Sequence, residues 1–89
     1  MRIWKAEIDI VDRQAVTAPK GAQFLTAQTQ GDKVCLWFLC DEAAEPQERT
    51  IAIYGTGNPI PGDPGQYIAT VQSHGGALVW HVFELTANA

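Results

Sequence analysis

The residues best suited to chemistry surround one glycine-rich string, Gly55-Thr56-Gly57-Asn58, which follows Tyr54. Successive glycines can aim backbone N–H groups at an anion, and the hydroxyl of Thr56 could also contact a phosphate. The string is not a P-loop, because no Lys-Ser or Lys-Thr pair follows it. It is not a dinucleotide fingerprint either, because Ile60 stands where the third glycine belongs. An anion-binding turn and a plain tight turn both remain open.

Aromatic side chains supply the second chemical signal. Three tryptophans and two tyrosines offer flat rings, which usually fill a core or an interface. Such rings also stack nucleobases, at about 1–3 kcal/mol per base. With one of Arg2, Lys5 or Arg49 to neutralise a phosphate, they would form a nucleotide pocket. The predicted ligand-binding residues are Arg2, Trp4, Lys5, Tyr54, Gly55, Thr56, Gly57, Asn58, Trp80 and His81.

Catalytic and metal-binding patterns are weak in this chain. His74 and His81 are the only histidines, and neither has a cysteine or an acid nearby at metal-ligand spacing. His81 suits a hydrogen-bonded core or interface position as well as a ligand contact. Ser73 is the only serine, and its neighbours form no nucleophile elbow. We therefore expect no catalytic residues, no metal, no cofactor and no enzymatic activity.

Size and composition point to one small domain, residues 1–89, that associates with itself. Of the 89 residues, 46% are apolar and 18% are charged, against roughly 25% charged in an ordinary soluble domain. A core this small cannot hide so much apolar surface, so we expect part of it in a subunit interface. The formal charge is −4 and the basic residues are scattered, which argues against binding a DNA or RNA polymer.

Cysteine spacing bears on the cellular compartment. Cys35 and Cys40 lie five residues apart in one apolar run, so a strand would place them on opposite faces and roughly 17 Å apart. They cannot form a disulfide with each other, and free thiols favour a reducing cytosol. No apolar run reaches the roughly 18 residues of a membrane helix. We expect a cytoplasmic protein with no membrane partner.

Alternating apolar and polar residues predict an all-β fold. Val34–Cys40 is apolar on both faces, which indicates a central strand covered twice. The final ribbon should be buried on most of both faces, with Trp80 and His81 pointing to opposite sides. We expect loops over 41–49 and 55–66 and a hairpin turn over 73–76. The strands are predicted over Arg2–Ile10, Gln14–Thr17, Gln23–Gln30, Val34–Cys40, Thr50–Tyr54, Tyr67–Gln72 and Ala77–Leu85. They should form an antiparallel meander of about six strands, closed as a sandwich or partly open barrel and oligomeric.

Several short strings also occur in a telling order and spacing. They are Ile3-Trp4-Lys5, Pro19-Lys20-Gly21-Ala22, Cys35-Leu36-Trp37, Gly55-Thr56-Gly57-Asn58-Pro59-Ile60 and Gly75-Gly76-Ala77-Leu78-Val79-Trp80-His81-Val82-Phe83. Together they resemble a family of small, uncharacterised proteins encoded by tailed bacteriophages. The resemblance covers nearly the whole chain, and the last string is its most specific part. Family members often carry His after Gly-Thr-Gly, so Asn58 is a departure.

That family in turn resembles the viral sponge proteins, small oligomers that sequester the cyclic nucleotide signals of bacterial anti-phage systems of the CBASS type. The resemblance implies an immune-evasion protein that binds a cyclic dinucleotide between subunits without cleaving it. The alternative is a phage accessory protein that binds a host or phage protein through its aromatic strand face.

Overall fold

A computed structural model describes residues 1–85, and the last four residues of the predicted 1–89 domain lie outside the described residues. Strands dominate it, with one short 3₁₀ turn at His74–Gly76. No helix within the described part is long and apolar enough to cross a membrane. The seven strands are β1 (Arg2–Ile8), β2 (Arg13–Pro19), β3 (Gln23–Gln30), β4 (Lys33–Cys40), β5 (Pro46–Gly55), β6 (Gln66–Ser73) and β7 (Leu78–Leu85).

The strands form two antiparallel sheets that pack as a sandwich, which confirms the predicted all-β class. The three-stranded sheet has the order β1-β4-β3, and the four-stranded sheet has the order β2-β5-β7-β6. Only the β3–β4 and β6–β7 pairs join strands that are consecutive in the chain, so the order departs from the expected meander. The sheets meet along β3 and β6, which lie side by side.

Apolar side chains from both sheets fill the space between them. Val34 and Leu36 of β4 pack with Ile51 of β5 and Val82 of β7, all with 1% or less of their surface exposed. The predicted central position is confirmed, because β4 lies between β1 and β3. The predicted second cover is only partial, since Cys35 on the other face is buried but Trp37 and Leu39 are half-buried. Cys35 and Cys40 are both free thiols.

Two expectations about strands are wrong. Only Val82 of β7 is buried. The strand lies inside its sheet, but one of its faces is an outer surface of the sandwich. The doubly buried run is instead Ile51–Ile53 of β5. Strand β5 also begins at Pro46, inside the segment expected to be a loop. The residues at the start of β5 are polar, so they show no alternation of apolar and polar side chains. Pairing with β2 nevertheless provides hydrogen bonds for the backbone N–H and C=O groups of this segment.

The glycine- and proline-rich connection between β5 and β6 crosses the length of β7. Both flanking strands are antiparallel to β7, so they run parallel to each other. The connection leaves β5 where Gly55 faces Trp80 and rejoins the sheet where Gln66 faces Glu84. A side chain at Gly65 would clash with the carbonyl oxygen of Glu84. The connection is therefore held tightly against β7 at its second end.

Candidate functional site

One end of the sandwich holds an open cleft of about 940 Å³, which we call the end cleft. Three segments and Trp80 line it. The segments are residues 10–13, which lead into the start of β2, residues 53–55 at the end of β5, and residues 58–61 of the long connection. Small-molecule sites span roughly 300–1,000 Å³ and combine apolar walls with a few polar groups. The end cleft has both properties.

Gly55 allows two side chains to approach the backbone closely in the cleft wall. A Cβ at this position would lie 2.8 Å from Nδ2 of Asn58 and 3.2 Å from a ring carbon of Trp80. Glycine thus lets the amide and the indole both pack against the strand end. The N–H of Asn58 donates to the carbonyl of Gly55 at 3.1 Å, which closes the turn. The string is a tight turn that holds the Asn58 side chain beside Trp80.

The turn also uses part of its own backbone. The N–H of Thr56 donates to the carbonyl oxygen of Val79 at 3.2 Å, and the N–H of Asn58 is engaged with Gly55. One of the Gly-Thr-Gly N–H groups expected to face a phosphate, that of Thr56, is therefore satisfied within the chain. The turn contributes Gly55 and Asn58 to the lining of the cleft.

Trp80 is held in place by a hydrogen bond and by packing against the core. Its Nε1 donates to Oγ of Ser73 at 3.0 Å, and Ser73 is buried. The ring also packs against the main core cluster. An indole fixed by a hydrogen bond and by core packing loses little freedom when a ligand stacks on it.

The cation of the end cleft is Arg13, which was not among the predicted site residues. It opens β2, opposite Ala52 of β5, and Asp12 beside it also lines the cleft. Pairing between β2 and β5 joins segments almost forty positions apart, and no local pattern reveals that. The only signal was the position of Arg13 at the start of a strand.

Thr56 and His81 lie on the outer face of the four-stranded sheet. Oγ1 of Thr56 is 2.7 Å from Nε2 of His81, and Oγ1 of Thr70 is 3.0 Å from Nδ1. The hydroxyl of Tyr67 extends this chain by bonding Thr70 at 2.8 Å. His81 and Trp80 do point to opposite sides, as predicted, so His81 is a hydrogen-bonded residue of the outer face and does not line the end cleft.

The three predicted residues of β1 lie away from the end cleft. Arg2 pairs with Glu42, and Nζ of Lys5 donates to Oε1 of Gln30 at 2.9 Å. The ring of Trp4 meets Phe38 edge-on at 6.4 Å. Of the ten predicted residues, the structure brings four into the lining, namely Tyr54, Gly55, Asn58 and Trp80.

Arg49, the third basic residue considered for phosphate, lies in a different place. Its guanidinium binds both carboxylate oxygens of Glu84, donates to the carbonyl of Ala22 and sits 4.4 Å above the ring centroid of Phe24. Gln66 and Tyr67 help line a second, smaller space of about 280 Å³ there. We call Arg49 and its three partners, Glu84, the Ala22 carbonyl and the Phe24 ring, the Arg49 clamp.

Metal ligands do not gather at either place: no group of three or more His, Cys, Asp or Glu side chains in residues 1–85 could hold a metal ion. Searches of curated proteins and of solved structures found no match to the chain. A family model described as a domain of unknown function, DUF7352, matches residues 1–89. The chain therefore belongs to the DUF7352 family.

Proposed function

We propose that the chain binds a cyclic dinucleotide in the end cleft and holds it without cleaving it. In an infected bacterium, such binding in the cytoplasm would withdraw the signal of a CBASS-type defence. One observation carries the proposal: Trp80, fixed by Ser73, stands beside the amide of Asn58 in a cleft large enough for a nucleotide. A flat ring and an adjacent amide are the two groups that recognise a base.

Each lining group has a role in this proposal. The indole of Trp80 stacks on a base, and the amide of Asn58 both donates to and accepts from the base edge. Arg13 meets a phosphate with its guanidinium, which can donate two parallel hydrogen bonds. Because Asp12 balances its charge, affinity depends on stacking and hydrogen bonding more than on net charge.

Sequestration is proposed over cleavage because of what the lining contains. Asp12 is its single carboxylate, and its other side chains include neither histidine nor cysteine. Phosphodiester cleavage by side chains requires a positioned acid and base. The histidine nearest in sequence to the lining, His81, has both ring nitrogens engaged by hydroxyls on the outer face.

Thermal unfolding with a panel of cyclic di- and trinucleotides tests the proposal. A ligand that binds the native state raises the Tm as its concentration increases. We expect Asn58→Ala and Arg13→Gln to reduce the shift, whereas Lys20→Gln, with the same charge change on an exposed turn, leaves it intact. Chromatography after heat denaturation should recover the nucleotide unchanged. The absence of any shift across the panel would refute the proposal.

A second candidate, binding of a host or phage protein, is favoured by the outer face of the three-stranded sheet. Ile3 is 60% and Leu25 42% exposed there, and Trp37 and Leu39 are only half-buried. Apolar patches of this kind mark protein interfaces more often than random surface. If no nucleotide shifts the Tm, and Leu25→Asp abolishes binding of a purified partner with the Tm unchanged, this candidate replaces the first.

A further inference from the structure

The free edge of β1 is protected by charged side chains alone. β1 pairs with β4 over all seven residues without a bulge, and no other strand of the described part pairs along its second side. It contains neither proline nor glycine, and Ile3 and Trp4 are exposed. Edge strands are normally blunted by charged side chains, proline, bulges or a cover, and of these β1 has only the charges of Arg2, Lys5 and Glu7. The other free edge, β2, ends in Pro19.

We propose that β1 pairs antiparallel with β1 of a second copy about a two-fold axis at Ala6. The two three-stranded sheets would then form one continuous six-stranded sheet. An isologous pairing of this kind uses the same surface on both copies and closes at a dimer. Main-chain hydrogen bonds supply the attraction, and opposing side chains set the register.

The charges of β1 select the register. Lys5 and Glu7 lie on the outer face, opposite Trp37 and Cys35 of β4. A two-fold axis perpendicular to the sheet opposes residues of the same face. Centring the pairing on Ala6 places each Lys5 opposite a Glu7. Centring it on Lys5 or on Glu7 would oppose like charges, which is destabilising.

Centring one residue pair earlier, on Trp4, also fails to match the charges. It would set Lys5 opposite Ile3 and leave Glu7 opposite Met1, so neither charge gains a partner. In the Ala6 register, Trp4 instead lies opposite Ile8, and two apolar side chains meet. The chain carries a net charge of −4, so two copies repel each other overall. In the Ala6 register each Lys5 meets a Glu7 once its Nζ leaves Oε1 of Gln30, so this edge offsets part of that repulsion.

The same register brings the partner to the end cleft. Extending the pairing past the end of β1 places Arg2 of the second copy opposite Ile10, which lines the cleft. Arg2 is held only by an exposed pair with Glu42, and such pairs contribute little. The guanidinium can therefore turn to a ligand and add a second cation to Arg13. This assignment rests on the proposed function, whereas the pairing itself does not.

Sedimentation equilibrium of charge-reversal variants tests the pairing. We expect Lys5→Glu and Glu7→Lys each to raise the dimer dissociation constant at least ~10-fold, because each opposes like charges. An equimolar mixture of the two variants should restore dimers, since their edges are complementary. Lys20→Glu and Glu45→Lys, with the same charge changes at exposed positions off the edge, should behave as the unaltered chain.

Several outcomes would overturn the pairing: a monomeric unaltered chain at hundreds of micromolar, variants that dimerise normally, or a mixture that stays monomeric while each variant keeps its Tm. The role of Arg2 has a separate readout. Arg2→Gln should weaken the nucleotide-induced Tm shift without changing sedimentation. A chain that dimerises but binds no nucleotide would sink the proposed function and leave the pairing standing.

Discussion

Two cavities of the sandwich each have an arginine and aromatic residues in their lining, with opposite outcomes. In the Arg49 clamp, the guanidinium is mostly buried and meets Glu84, a backbone carbonyl and the face of Phe24. At the end cleft, Arg13 is exposed beside an open space more than three times as large. A guanidinium whose N–H donors are all used within the protein stabilises the fold. One that is exposed beside open space has donors available to a ligand. The same residue type thus serves stability in the Arg49 clamp and, under the proposed function, recognition at the end cleft.

Breaking the clamp should have the largest effect. Glu84→Gln leaves the Arg49 charge mostly buried without its anion, and we expect a loss of about 2–3 kcal/mol in the free energy of unfolding, given that both side chains keep some solvent contact. Urea denaturation measures it. Glu42→Gln, which removes the partner of exposed Arg2, should cost at most about 1 kcal/mol. Equal losses would contradict the distinction between the two arginines.

Filling the space at Gly55 should come next. Gly55→Ala places a methyl group against Asn58 and Trp80 and should cost about 1–2 kcal/mol by overpacking. It should also displace the amide and weaken nucleotide binding. Gly57→Ala is the matched control. Its Cβ meets open space but its φ of +88° is strained, which costs a similar 1–2 kcal/mol, roughly. If both variants bind nucleotide equally, the amide does not define the site.

Removing the hydrogen bond behind Trp80 should have a smaller effect. Ser73→Ala deletes the acceptor of the indole N–H and should cost about 1 kcal/mol. The emission spectrum of Trp80 should also become broader, and the variant should bind nucleotide with lower affinity. Trp4 and Trp37 contribute emission too, so the measurement is best made by difference between the variant with and without ligand. An unchanged affinity would mean that the ring needs no support.

The smallest effect on stability is expected at Arg13. Arg13→Gln changes an exposed side chain, so the free energy of unfolding should stay within about 0.5 kcal/mol. Nucleotide affinity should nevertheless fall by about tenfold, the loss of one charged hydrogen-bonding partner. Titration at two salt concentrations checks the assignment, because binding by the variant should depend less on salt. A stability loss as large as that of Glu84→Gln would place Arg13 in the architecture rather than in recognition.

Local patterns predicted the strands well where periodicity was strong. Gln23–Gln30 is observed with the expected bounds, and the apolar run of β4 is central in its sheet. The misjudged ribbon of β7 shows the limit of the pattern. Phe83 lies on an outer face between Tyr54 and Tyr67, with ring centroids 5.6 and 5.5 Å away. An apolar strand can thus be covered by its own neighbours' rings rather than by a second layer.

The end cleft was only half predictable for a related reason. Gly55 and Asn58 are close in sequence, so their turn could be anticipated from the glycines. Trp80 joins them through β5–β7 pairing, and Arg13 through β2–β5 pairing. Such long-range pairings depend on the whole arrangement of sheets. Chemistry alone nominated the rings and amide, but it could not choose among scattered cations.

The crossing connection acts as a tether of fixed length. Its first residue, Thr56, is hydrogen-bonded to Val79 near one end of β7, and Gly65 is pressed against Glu84 near the other. Both contacts are made with the same strand, β7. The number of residues between Thr56 and Gly65 therefore determines how far the connection can extend away from the sheet. Lengthening or shortening this connection would change the size of the end cleft while the sandwich beneath stays as it is.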